Sequence, residues 1–75
     1  MNLAEAPLNT ILRIAAVDAG SVDVDLVLRQ MGIFVGESVE KLHVAPLGDP
    51  LTLRIGGQRF SLRMEISRAI RVEKV

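Results

Sequence analysis

Leu51-Thr52-Leu53-Arg54-Ile55-Gly56-Gly57-Gln58-Arg59-Phe60-Ser61-Leu62 is the stretch that decides the fold. Leu51, Leu53 and Ile55 alternate with Thr52 and Arg54, the two-residue period of a strand with one buried face. Gly56-Gly57 can take the positive φ angles of a tight two-residue hairpin turn. Beyond the turn, Phe60, Leu62 and Met64 alternate with Arg59, Ser61 and Arg63. Folding the chain at the glycines sets Leu53 against Phe60 and Leu51 against Leu62 on an apolar face. Thr52 then faces Ser61, and Arg54 faces Arg59, on a polar face. A slip of one residue would set apolar groups against polar ones, so pattern and turn specify one register.

Upstream of the hairpin, Ala45-Pro46-Leu47-Gly48-Asp49-Pro50 is a corner with two proline-fixed φ angles and a glycine. Ser38 to Ala45 reads as a strand whose alternation slips. Leu42 and Val44 share one face and Val39 is out of phase, so a bulge is expected near Glu40-Lys41. Ile33-Phe34-Val35 lies between Gly32 and Gly36 as a short apolar loop. Before it, Val24, Val27, Leu28 and Met31 recur at helical spacing. Ser21 or Asp23 can cap that helix, and Gly32 stands where a left-handed residue would end it. Thr10 to Val17 reads as a β-branched, aliphatic strand followed by the turn Asp18-Ala19-Gly20-Ser21. Residues 1–8 read as a loose lead-in, since Pro7 disfavours a continuing helix. Downstream, Glu65 to Arg68 is a short turn or single helical turn, and Ile70 and Val72 belong to a closing strand. Five short strands with one helix after the first predict a mainly β, partly open small barrel, a single domain over residues 1–75.

Composition narrows the function. The chain has no cysteine, which excludes a disulfide scaffold, thiolate metal sites and thiol catalysis. Nine basic residues balance nine acidic ones, so no global field draws nucleic acid or an anionic membrane. No apolar run approaches the roughly 20 residues that span a bilayer. The first residues carry neither the basic run nor the apolar core of a signal peptide, so the expected location is cytoplasmic, without direct membrane insertion.

Several of these residues carry a family resemblance. Leu28, Met31, Gly32, Ile33 and Gly36 resemble the helix end and turn of the ferrous iron transport protein A family, leucine-x-x-leucine-glycine-leucine-x-x-glycine. Ala45 to Pro50 is similar to that family's alanine-proline-leucine-glycine-aspartate-proline segment, and Leu62-Arg63, Ala69, Ile70 and Val72 to its closing pattern. The position before Leu28, often basic in the family, is Val27 here. The proline often found before the second glycine is replaced by Val35. The resemblance implies an SH3-like barrel. It also implies a non-enzymatic cytoplasmic accessory to a ferrous iron permease, the membrane GTPase ferrous iron transport protein B. A metal-responsive module that binds a transition metal, and a detached oligomerisation domain, are the alternatives.

Candidate chemistry is sparse. His43 is the only histidine and has no accompanying base or oxyanion motif, so no catalytic residue is assigned. No phosphate loop of the G-x-x-x-x-G-K-[ST] type is present. One histidine and scattered carboxylates make a poor transition-metal site, so no cofactor or metal ligand is assigned. A weak or intersubunit divalent-metal site using His43 or Glu40, and self-association, stay open. Asp18, Asp23 and Asp25 near the helix start read as turn and capping residues. With only Phe34 and Phe60 as aromatics, proline-peptide binding is not expected. Three surfaces remain as candidates for a protein partner. They are the apolar loop Ile33, Phe34 and Val35; the corner residues Pro46, Leu47 and Asp49; and Arg54, Arg59 and Arg63 on the hairpin's polar face.

Overall fold

A computed structural model describes residues 1–75. Strand β1 (Ile11–Val17) leads to helix α1 (Val22–Gln30), then β2 (Ser38–Val44), β3 (Leu51–Ile55), β4 (Gln58–Leu62), the single-turn helix α2 (Met64–Ser67) and β5 (Ile70–Lys74). The strands form one antiparallel sheet in the order β4-β3-β2-β1-β5, curled around the core. The mainly β architecture with one helix after the first strand is the one the sequence predicts.

The β3–β4 hairpin has the expected register: Leu51 against Leu62, Thr52 against Ser61, Leu53 against Phe60 and Arg54 against Arg59. Gly56 and Gly57 have φ of 57° and 82°, values that β-carbon sterics make costly for other residues. Met64 leaves the alternation, however. It opens α2, where Asp49 Oδ1 accepts a hydrogen bond from its backbone N–H at 3.0 Å.

Ser21, and not Asp23, caps α1: its Oγ accepts from Val24 N–H at 3.1 Å. Leu28 is the one fully buried residue of the helix, Val24 and Met31 are half-buried, and Val27 stays exposed. Gly32 ends the helix at φ 92°, and a β-carbon there would lie 3.2 Å from Ile55 Cγ2.

Two expectations are corrected. The bulge in β2 falls one residue later than predicted: Lys41 pairs with Leu53 and His43 with Thr52, leaving Leu42 unpaired. The inward residues before the bulge are therefore Val39 and Lys41, both buried. Lys41 is tolerated because its ammonium donates to Ala4 O at 2.7 Å and Ala6 O at 3.0 Å. Burial lowers the pKa of Lys41 from the ordinary lysine value, since it penalises the charged form.

Those two carbonyls belong to the segment predicted to be loose. Leu3 and Ala6 are instead buried in the core. Asn2 and Glu5 satisfy each other's backbone, Asn2 N–H to Glu5 Oε1 and Glu5 N–H to Asn2 Oδ1, each at 3.0 Å. This is a capping box, and it folds the segment into a turn. Leu3 N–H donates to Ile70 O and Val72 N–H to Met1 O, so the segment pairs with the outer edge of β5. A chain this small has few apolar residues to spare, and Leu3 and Ala6 join the buried core cluster.

Candidate interaction surface

The apolar loop after α1 divides between core and surface. Ile33 is 1% exposed and belongs to the core, which corrects its assignment to a contact surface. Phe34 and Val35 are 41% and 63% exposed. The difference follows from the helix end. Ile33 N–H donates to Leu28 O, turning the chain back so that Ile33 follows Leu28 inward. The next residues are carried over the rim. Gly36 N–H donates to Ile14 O, Ile14 N–H to Glu37 O, and Glu37 N–H to Phe34 O. The corner is thus tied to β1 while two large apolar side chains face outward. They border a small hollow completed by Val17 and the Asp25–Arg29 ion pair of α1, with Nε to Oδ2 at 2.9 Å.

The second candidate, the Ala45–Pro50 corner, is closed by Ala45 N–H to Pro50 O and Gly48 N–H to Ala45 O. Leu47 at its tip is 97% exposed, and Pro46 is exposed beside it. Asp49 has a structural task, capping α2 from 15 residues away in sequence. The two loops leave different elements, α1 and β2.

The third candidate is a polar row across the sheet. Glu40 on β2 lies opposite Arg54, which lies opposite Arg59. Glu40 Oε1 accepts from Arg54 Nη1 at 3.3 Å and relieves the repulsion between the two arginines. Arg59 and Arg63 have no carboxylate partner within salt-bridge distance. Lys41 was missed by sequence reasoning because its inward position depends on where the bulge falls.

His43 is exposed on the outer side of β2, opposite Thr52. No group of three or more His, Asp or Glu side chains converges as a metal site would require. No helix is long and apolar enough to cross a membrane.

Known structures share this geometry. Iron(II) transport protein A from Clostridium thermocellum superimposes with a TM-score of 0.92 at 35% identity, over 100% of this chain and 46% of that one. FeoA from Chlorobium tepidum gives 0.91 at 27% identity, over 100% of this chain and 70% of that one. FeoA from Stenotrophomonas maltophilia, solved as a zinc complex, gives 0.81 at 30% identity, over 97% and 89% of the two chains. That protein is described as a procaryotic SH3 domain protein and a candidate ferrous iron transport activating factor. The chain therefore spans about half the length of the first of these and most of the other two. No curated protein sequence matches significantly. The FeoA domain model matches residues 1–74, and with the SH3-like sheet, the Gly32 helix end and the Ala45–Pro50 corner in place, the chain belongs to the FeoA domain family.

Proposed function

We propose that this chain is an accessory protein of ferrous iron uptake, working on the cytosolic side by contact with the membrane GTPase permease, ferrous iron transport protein B. Family membership supplies the link to ferrous iron transport. The observation that carries a contact mechanism is the pair Phe34 and Val35, held outward on a corner tied to β1. Burying Phe34 alone would contribute about 1.5–3 kcal/mol to an interface. Leu47 on the Ala45–Pro50 corner is the second anchor, with Pro46 beside it.

Co-purification tests this reading. The tagged chain should retain the transporter's cytosolic domain, and Phe34→Ser with Val35→Ser should release it while the variant stays folded. Deletion of the protein should lower ferrous iron uptake. Unchanged retention by the double variant, or normal uptake in a clean deletion, would sink the proposal.

A metal-responsive module is the second reading, favoured by the zinc complex of the Stenotrophomonas relative. In this chain His43 is exposed but stands apart from any group of three ligands, so a site would need side chains from a second copy. Calorimetric titration with ferrous or manganous ion separates the readings. Heat that saturates together with dimer formation would favour the metal module. The third reading, a detached oligomerisation domain, requires a defined oligomer by light scattering without metal or transporter.

A further inference from the structure

The sheet has two outer edges, and the chain treats them differently. The edge of β5 is paired with the N-terminal segment through the bonds of Met1 and Leu3. The edge of β4 is left open, because β4 ends the strand order. The two-residue turn makes Ile55 and Gln58 a hydrogen-bonded pair, so Phe60 and Leu62 also direct their backbone groups at β3. Arg59 and Ser61 direct theirs outward, and no loop or turn hydrogen bond reaches them. Beside this edge runs a groove of about 330 Å³ between β4 and α1, lined mainly by apolar residues such as Val24, Val27, Leu62 and Ile66, with Asp23 and Arg63 as its charged residues.

We propose that the open β4 edge and the adjoining groove accept an extended partner segment that alternates apolar and acidic residues. Backbone pairing with Arg59 and Ser61 would supply the main-chain bonds of strand addition. Residues of the added strand opposite Arg59 and Ser61 would lie on the outer, polar face. Both Arg59 and Arg63 lack a carboxylate there, so acidic residues fit. Residues opposite Phe60 and Leu62 would turn to the other face and reach the groove, so apolar residues fit. A second copy presenting its own β4 edge would add another Arg59 and Arg63 beside the first pair and bring no carboxylate from that edge, which disfavours that occupant. The site lies on the Val27 side of α1, whereas Phe34 borders the hollow on the Arg29 side. It therefore goes beyond the proposed transporter contact and is tested without the transporter.

The experiment uses the full ¹⁵N-labelled chain and the peptide acetyl-Glu-Val-Glu-Leu-Glu-Val-Glu-amide. Expected are amide shifts at Arg59 and Ser61, slowed hydrogen exchange at both, and methyl shifts at Val27 and Leu62. Arg59→Glu with Arg63→Glu should weaken binding by about tenfold or more. The same peptide with lysine for glutamate should prefer that variant. A peptide N-methylated at its glutamates, the residues whose N–H groups would face β4, cannot pair and should not bind. Absence of shifts at Arg59 and Ser61 at millimolar peptide overturns the proposal. So do equal binding by the N-methylated peptide, shifts confined to the Phe34 corner, or β4-mediated dimers formed without peptide.

Discussion

Replacing Lys41 by methionine separates the two ways the N-terminal segment is held, by its apolar residues and by the buried ammonium. Methionine keeps the length and burial of the side chain but removes the donors to Ala4 O and Ala6 O. The cost of burying the charge disappears together with the bonds, so their full strength is not lost. What remains is the Ala6 carbonyl, buried without its donor, a penalty of about 1–3 kcal/mol. Ala4 is only partly buried, and its carbonyl can turn to water. The expected loss is about 2 kcal/mol, a fall in Tm of about 8–16 °C for a domain this small. Urea unfolding and amide exchange at Leu3 and Val72 measure it, and those amides should lose protection first. The pH dependence carries a sign. Burial lowers the folded pKa of Lys41, so between that value and the ordinary lysine value the unfolded chain binds more protons. Stability from this group therefore rises with pH through that window, is penalised in full below it, and loses the penalty above it. The native-minus-variant stability difference should grow on the alkaline side. A Lys41→Met chain with native stability and native exchange at Leu3 would refute this account and leave the segment held by Leu3, Ala6 and its pairing with β5.

Four further outcomes are expected. Leu3→Ala should cost about 2–5 kcal/mol in urea unfolding, because Leu3 is fully buried; a loss within error would mean the segment is peripheral. Gly32→Ala should cost about 1–2 kcal/mol, from the φ of 92° and the 3.2 Å approach to Ile55, readable as a lowered Tm. Asp49→Ala should cost about 1 kcal/mol and raise amide exchange at Met64 first, since Asp49 caps α2. A double-mutant cycle on Glu40 and Arg54 should give a coupling of at most about 1 kcal/mol that shrinks with salt, because the arginine side chain is 45% exposed.

The hairpin's polar face and the exposed Ala45–Pro50 corner are legible in the sequence, whereas the division of the apolar loop between core and surface is not. Ile33, Phe34 and Val35 are chemically similar neighbours between two glycines. Only the Ile33 N–H to Leu28 O bond sends the first inward and the other two out. Arg54 and Arg59 were placed opposite each other by the hairpin alone, whereas Glu40, which neutralises one of them, comes from a strand whose register depends on the Leu42 bulge. The N-terminal turn did leave a local sign, the Asn2-x-x-Glu5 capping box, but a single turn says nothing about where it docks.

Local sequence alone specified the β3–β4 register, a cap at Ser21 or Asp23, the left-handed Gly32 and the family resemblance carried by Ala45–Pro50. Each rests on interactions among near neighbours, where side-chain period and glycine or proline φ restrict the chain directly. Long-range packing decided that Leu3 and Ala6 join the core, that Lys41 points inward, that Asp49 caps a distant helix and that β4 keeps a free edge. Those features join groups 15 to 37 residues apart, or record the lack of such a partner. No local period encodes them; they follow from which surfaces the curled sheet leaves uncovered and which segments are long enough to reach them.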